Sequence, residues 1–510
     1  MKKITPLKIV FLFELIIVIL ISTGVLPREA ALTLTGVLLF YIIFSSLEDS
    51  LVLFIASIPL YLALPVTDAF DSMANWRILL AVLFLGLIFK QGLSIRIIKD
   101  KLGNLKIKEK FKHYLMECLA GVFLVIAVLS LFVATDLMVG IKKILFLINI
   151  FLLYIIVRNL ARNRKTILRI IKAGTIAGVI SLTIGYWQLI SIFLTPLYNF
   201  WQWWAKNVIS AFYGIDLSKL LVVSNTWFSY YLDSPPTLRM FSIFPDSHSF
   251  ALFTIIGLIF LSYLLVSKIH RNKFINFCLW LAVILSFLAL VFSGSRGVWL
   301  SGAIPFLIAV FLLLFKKIRE SAGYTASQLK PFAAMLMIFI LAFPISSLII
   351  SQSYQGTDGT LAFKRARTLT DLEELSVKTR IGIWQTSFKS VLKNPILGVG
   401  IGNYPVVLGE DISAAKRGAS AHNLYLDVAS EMGLLGLIVL LLMFWQILRR
   451  SIKNHNQFSY IFTFFFSWVL IYSLFDVVLL NDKVLLLFMV ALGLLYSIAD
   501  NYELKTNGKK

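Results

Sequence analysis

The sequence predicts an all-α, polytopic integral membrane protein, one membrane domain over residues 1–510 with about 12–14 transmembrane helices. Three observations carry this. Hydrophobic side chains make up 59% of the 510 residues and charged ones only 15%, against roughly 45–50% and 25% in soluble domains. Mean hydropathy is +0.86. The apolar residues gather into runs of membrane-spanning length, and the basic residues gather in alternate gaps between them. Such a composition excludes a soluble globular enzyme, a disordered chain and a disulfide scaffold. Cys118 and Cys278 both lie in apolar stretches and give redox chemistry no support.

The first run, 9–26, follows Lys2, Lys3 and Lys8. A signal peptide has a shorter apolar region, about 7–15 residues, closed by a small-residue cleavage site. This run is longer and lacks such a site, so it reads as a first span. Runs at 30–46 and 51–67 are joined by the short LEDS turn, and 77–90 follows. Seven more runs lie at 114–135, 141–157, 173–195, 248–267, 274–293, 298–315 and 331–351. The last three, 433–448, 458–476 and 484–499, bring the count to fourteen.

Charge orients these spans. Lys and Arg exceed Asp and Glu by 48 to 26, a net charge of +22. In a soluble chain that excess would suggest nucleic acid. Here the basic residues crowd the gaps at 90–113, 158–172, 268–273, 316–330 and 449–453 and the C-terminal tail. With the N-terminus in the cytoplasm all of these fall on the cytoplasmic side, as positive-inside orientation requires. The expected setting is a cytoplasmic membrane with both termini inside, contact with anionic lipid and no nucleic-acid partner.

Two long gaps, 196–247 and 352–432, then fall outside. Loops of this length are often functional. The first holds Trp201, Trp203, Trp204 and Trp227, which suit either an amphipathic segment at the membrane interface or a platform for sugar or lipid. In the second, KTRIGIWQTSFKSVLKN (378–394) spaces Ile381, Trp384, Phe388 and Leu392 as a helix, which Asn394-Pro395 stops.

Four features on the outer side can carry chemistry. RMFSIFPDSHSFALF (239–253) contributes Arg239, Asp246 and His248; FSGSRGVWLSG (292–302) contributes Arg296. Arg380 lies on the loop helix, followed by NPILGVGIGNYP (394–405), and HNLYLDVASEMGLLG (422–436) carries His422 into a span. Guanidinium forks suit phosphate oxygens, and histidine suits proton transfer near neutral pH. A phosphate-bearing substrate and a hydroxyl to be deprotonated fit that set. Each residue also has a plainer reading. Arg296 can cap a turn, Arg239 can meet lipid headgroups, Arg380 can pair with Glu373 or Glu374, and His248 can be an interfacial histidine. GVGIG (398–402) is either a phosphate-cradling turn or a turn that packs closely; it neither follows a strand nor matches GxGxxG. Asn423, Asp427 and Glu431 share one helix face, to suit the helix dipole or to orient His422. Asp68 and Asp71 could hold a divalent metal, but two carboxylates without further ligands support that reading weakly.

Together these motifs resemble the O-antigen ligase and polymerase superfamily of bacterial membrane proteins. The resemblance rests on SRG at 295–297, on Arg380 and Trp384 as R-x-x-x-W, on NPILGVGIGNY, and most specifically on HNLYLDVASEMGLLG. It implies a GT-C-type glycosyltransferase that takes glycan from a polyprenyl diphosphate outside the cytoplasmic membrane and passes it to an acceptor hydroxyl. The acceptor is lipid A-core for ligases and another lipid-linked glycan for polymerases. It implies no nucleotide sugar, no cofactor and no metal. Carried over by motif, Arg239 and Arg380 bind the diphosphate with Arg296 as a further contact, and His422 is the catalytic base. Asn423, Asp427, Glu431, Trp384, Asp246 and His248 are supporting candidates. The chain departs from the ligase pattern at FPDSHS, where a PN pair is frequent, and no R-x₁₀-G follows Arg239, Arg380 or Arg417. A transporter of lipid-linked saccharide or a small anion stays open, as does a protein that only binds lipid-linked glycan.

Overall fold

The computed structural model describes residues 5–67, 71–91, 113–223, 227–231, 234–267, 272–321, 323–353, 375–409 and 419–507. Its helices are α1 Pro6–Ser22, α2 Ala30–Phe44, α3 Leu47–Ala56, α4 Trp76–Gln91, α5 Leu115–Ser130, α6 Leu137–Leu160 and α7 Arg164–Leu194. The first long connection folds as α8 Leu197–Trp203, a π turn Trp204–Ile209, α9 Ser210–Tyr213 and α10 Ile215–Val222. Then come α11 Ser247–Val266, α12 Lys273–Phe292, α13 Arg296–Leu314, α14 Lys316–Ser321 and α15 Ala326–Ser353. The chain ends in α16 Leu375–Lys393, α17 Leu424–Lys453, α18 Gln457–Tyr472 and α19 Asp482–Asn507. Two small antiparallel pairs complete the described residues: β1 Ala63–Leu64 with β2 Met73–Ala74, and β3 Phe228–Tyr231 with β4 Ser234–Leu238.

Thirteen of the fourteen apolar runs fall mainly on one helix and the third does so only in part, and nine described helices are long and apolar enough to cross a membrane by themselves. This is a multi-pass, all-α membrane protein. Its interior is as apolar as its exterior, so burial separates the two roles. Within Ser247–Val266 and Asp482–Asp500, 89% and 83% of the apolar window is buried, against 28% for Leu115–Val133. Helices α11 and α19 are therefore the centre. The outer helices leave large side chains such as Phe89, Phe132 and Leu194 more than four-fifths exposed. That would be untenable in water but is ordinary against lipid.

The third run does not form one straight helix. Helix α3 stops at Ala56, a 3-10 turn spans Ile58–Leu60 around Pro59, and β1 continues extended. The ten helical and three 3-10 residues rise about 15 and 6 Å, and extended chain through Ala63 and Leu64 continues the crossing. Bonds from Lys90 of α4 and from Asn75 just before it reach the α2–α3 junction and Leu62. Lys90 Nζ donates to the Ile43 and Ser45 carbonyls at 2.8 Å, and Asn75 N–H donates to the Leu62 carbonyl at 2.9 Å.

Polar clamps gather the helix ends into two groups. At one end Arg158 meets Glu117 and Asp500, and Arg450 meets Asp500 at 2.5 Å, tying α5, α6, α17 and α19. Arg169 there pairs with Glu48 and Asp49. At the opposite end Arg28 pairs with Asp71 at 3.1 Å, and Asp71 also accepts from Ile215 N–H. Trp76 Nε1 donates to Asp482 at 3.0 Å, and buried Lys483 donates to the Tyr61 carbonyl at 2.8 Å. The candidate site forms at this second end.

Candidate functional site

One wall of the site is the turn from Arg239 to His248. Arg239 N–H donates to the Trp227 carbonyl at 2.8 Å, and Met240 N–H to the Phe292 carbonyl at 2.9 Å. Gln188 Oε1 of α7 accepts from the Phe241 and Ser242 amides at 3.0 and 3.1 Å. Trp227 stacks on Phe241 with centroids 4.5 Å apart, while Trp201 and Trp204 pack edge-on against Trp227 and Phe241. Trp201, Trp204 and Trp227 are buried. They fasten the first long connection onto this turn rather than presenting a flat outer surface.

Asp246 ends the turn by capping α11, accepting from Ser249 N–H at 2.7 Å and from Ser249 Oγ at 2.8 Å. Burial pushes its carboxyl up to about 6 in spite of those bonds, and the nearby Asp476 adds to the rise. Capping sends α11 into the membrane and leaves His248 in its first turn, facing the neighbouring helices. His248 Nδ1 lies 2.9 Å from Ser295 Oγ, 3.0 Å from the Tyr472 hydroxyl and 3.6 Å from Asp476 Oδ2.

The opposite wall carries His422. Its φ of +45° is left-handed, a conformation that costs a non-glycine residue of order 1–3 kcal/mol. The surrounding backbone is held on every side. Asn423 caps α17 through the Tyr425 and Leu426 amides at 3.0 and 3.1 Å, and Leu424 N–H reaches the Ser473 carbonyl at 2.8 Å. Ala421 N–H donates to Asp427 Oδ1 and the Ala421 carbonyl accepts from Trp384 Nε1, both at 3.0 Å. Trp384 sits one turn beyond Arg380 on α16, so this one bond brings the guanidinium and the imidazole to the same place. Ile381, Phe388 and Leu392 of α16 are exposed, and Ser387 and Val391 are buried. The face that packs is thus not the apolar stripe expected from the sequence spacing.

Between the walls sits Asp476, in the turn after α18. Its Oδ1 is 3.9 Å from His422 Nδ1 and its Oδ2 is 3.6 Å from His248 Nδ1. Burial alone would push its carboxyl up; His422, His248 and Arg380 outweigh that and hold it at about 2. Arg239, Arg380 and His422 are all within electrostatic reach of His248. Tyr472 and Ser295 join the group, 3.2 Å apart. Helix α18 brings them in by docking on the first turn of α13, where Trp468 Nε1 donates to the Val298 carbonyl at 2.9 Å. Arg296 is the first residue of α13, beside Ser295.

GVGIG closes over α17 instead of offering its amides to a ligand. Gly433 interrupts α17 with φ +67° and ψ −173°, a region open essentially to glycine alone. The break frees carbonyls, and Val399 N–H and Gly400 N–H donate to those of Ser430 and Glu431, both at 2.9 Å. A Cβ at Gly398 would lie 2.3 Å from the Ser430 carbonyl oxygen, so only glycine permits the approach. Glu431 meets Lys143 of α6 at 2.5 Å.

His248, His422 and Arg380 therefore converge on Asp476 from three stretches of chain, and Arg239 comes within electrostatic reach of His248. Asp246, Trp384, Asn423 and Asp427 hold the backbone that presents them. Glu431 lies a turn deeper, at the kink. Asp71 is occupied by Arg28, and Asp68 lies outside the described residues, as do Glu373, Glu374 and Arg417. Asp476 and Tyr472 belong to none of the motifs read from the sequence, and Ser295 figures there only as part of the SRG turn. The available signal was Asp476 itself, an acid at the very end of the apolar run 458–476.

Residues 281–441 match the family model described as O-antigen ligase. The match covers Arg296, Arg380, Trp384, His422, Asn423, Asp427 and Glu431. Arg239, Asp246 and His248 precede it, and Asp476 follows it. No match is found among the curated proteins. The matched stretch supports the O-antigen ligase and polymerase superfamily, a glycosyltransferase-like enzyme and a role in polysaccharide assembly.

Proposed function

Starting from an O-antigen ligase-type domain in a multi-pass membrane protein, we propose that the chain is a ligase-like glycosyltransferase. It moves glycan from a polyprenyl diphosphate to an acceptor hydroxyl on the outer face of the cytoplasmic membrane. The carrying observation is the convergence of His248, His422 and Arg380 on Asp476, with Arg239 in electrostatic reach of His248.

In this reading Arg239 and Arg380 hold the diphosphate by paired hydrogen bonds and stabilise the charge that develops as it leaves. Arg296 is a further contact. Asp476 faces His422 Nδ1, which favours the proton there and leaves Nε2 as the free base. The His422 side chain is 42% exposed, open to an incoming hydroxyl. Nε2 takes the hydroxyl proton, the oxygen bonds the anomeric carbon, and the carbon–oxygen bond to the diphosphate breaks. Attack opposite the leaving group inverts that carbon. The arginines supply the positive charge that a metal supplies in other transferases, so the reaction is proposed to be metal-independent.

The test is a reconstituted assay with polyprenyl-diphosphate glycan and extracted acceptor lipid, with neither nucleotide nor metal added. Labelled glycan on the acceptor lipid supports the ligase reading. A ladder on the polyprenyl carrier instead makes the protein a polymerase, and donor crossing the vesicle wall without a covalent product makes it a transporter. His422→Ala should abolish transfer while leaving fold and donor binding intact; full activity in that variant removes the base assignment.

A further inference from the structure

Helices α5, α6, α17 and α19 enclose a cavity of about 430 Å³ that the transfer chemistry above does not use. Its wall is mostly hydrocarbon and aromatic, including Phe123, Ile150, Leu440, Phe444 and Phe488. It reaches from Ser420 and Val477 beside the site to Met116 and Ile447, near the Glu117 and Arg450 clamps at the other end. Along α17 that is a rise of about 34 Å. At about 30 Å³ for a group of water's size, the volume accommodates a chain of roughly fourteen carbons.

The cavity's polar groups are few and lie together. Lys143, Asp427 and Glu431 line it, two carboxylates against one ammonium, with Ser420 nearby. Asp427 Oδ1 already accepts from Ala421 N–H, and Glu431 accepts from Lys143. A carboxylate oxygen accepts more than one hydrogen bond, so both retain capacity toward hydroxyl donors. None of Arg239, Arg296 and Arg380 lines the cavity. The wall at Ala419 and Ser420 leads directly into His422.

We propose that this cavity holds the hydrocarbon chain of a neutral, hydroxyl-bearing lipid acceptor, with Asp427 and Glu431 accepting hydrogen bonds from its headgroup. The inference rests on the transfer reading above and specifies the acceptor's side of the site. Charge decides the occupant. A diphosphate entering here meets two carboxyl groups and one ammonium, whereas Arg380 and Arg239 gather around Asp476 and His248, outside the cavity's lining. A hydroxylated headgroup finds acceptors at the cavity's polar end and the base two residues further along.

The test uses the full chain in phosphatidylcholine nanodiscs and reads photo-crosslinks by mass spectrometry. The probe is hexadecyl glucoside with a diazirine at the chain end; the comparators are farnesyl diphosphate and phosphatidylcholine carrying the same group. The expected result is glucoside labelling of α5, α17 and α19 that excess unlabelled farnesyl diphosphate does not displace. Leu440→Trp and Met443→Trp, which fill the cavity, should each lower that labelling about tenfold or more. Farnesyl diphosphate should still label near Arg380 in both variants. Should either variant lose its thermal transition, the competition in the unaltered chain decides. Farnesyl diphosphate labelling the cavity, phosphatidylcholine labelling it equally, or no labelling would each overturn the proposal. The measurement needs no turnover. Transfer with an unlabelled cavity sinks this inference alone, and labelling without transfer sinks the transfer reading alone.

Discussion

Asp476→Asn removes one negative charge from the centre of the site and keeps the side chain's shape. The carboxyl sits at about 2 instead of 3.8, so its neighbours favour the ionised form by roughly 2–3 kcal/mol, at about 1.4 kcal/mol per tenfold change. The side chain is only 6% exposed, so solvent screening takes little from that figure. His422, His248 and Arg380 all face the carboxyl, but burial pushes His248 down to about 3, so its share is absent near neutral pH. If all of it oriented and polarised His422, transfer would slow by roughly 160-fold, the ceiling for 3 kcal/mol; a share of half still gives about tenfold. Arg380 loses an acidic neighbour in the variant, so affinity for farnesyl diphosphate should hold or tighten. The assay is single-turnover transfer alongside farnesyl diphosphate binding. A folded variant with an unchanged rate would refute the reasoning, as would an affinity loss as large as the rate loss. Stability gives a second readout. A depressed carboxyl contributes fully above 3.8, and its contribution is lost as pH falls through about 2. The stability gap between the two proteins should therefore narrow as pH falls across that window.

Arg380→Lys keeps the charge but loses the planar fork, and should weaken farnesyl diphosphate binding by about tenfold in calorimetry; equal affinity would exclude paired hydrogen bonding. Trp384→Phe deprives the Ala421 carbonyl of its donor, costing about 0.5–1.5 kcal/mol, and should lower kcat about threefold to tenfold with little change in donor affinity. Gly433→Ala places a Cβ 2.1 Å from the Ile396 carbonyl oxygen in a glycine-only conformation and should abolish the folded peak in size exclusion. Gly382→Ala on α16, where a Cβ meets nothing within 4 Å, should leave that peak unchanged.

Much of the fold can be read from the linear chain because the bilayer imposes a length and a polarity on every crossing. All the apolar runs but the third coincide with helices for that reason. The amphipathic helix at 378–394 is legible from its spacing and its Asn-Pro stop. Hydropathy does not show how a span is built inside. Pro59 breaks one crossing into helix, turn and strand, and Gly433 breaks another, yet neither break alters the average along the run.

The sequence by itself determined which residue types could do chemistry: forked cations, a histidine at the head of a helix, a glycine turn. Tertiary structure decided which of them meet. His248 reads as an interfacial histidine until Asp246 caps α11 and turns it toward Ser295, Tyr472 and Asp476. GVGIG reads as a possible anion cradle until the kink at Gly433 takes up the Val399 and Gly400 amides and Ser130 that of Ile401. Asp476 carries almost no local signal, because one acid at the end of an apolar run resembles any helix terminus. Its role comes from the docking of α18 on α11 and α13, which is fixed by packing between distant segments and not by anything local to residue 476.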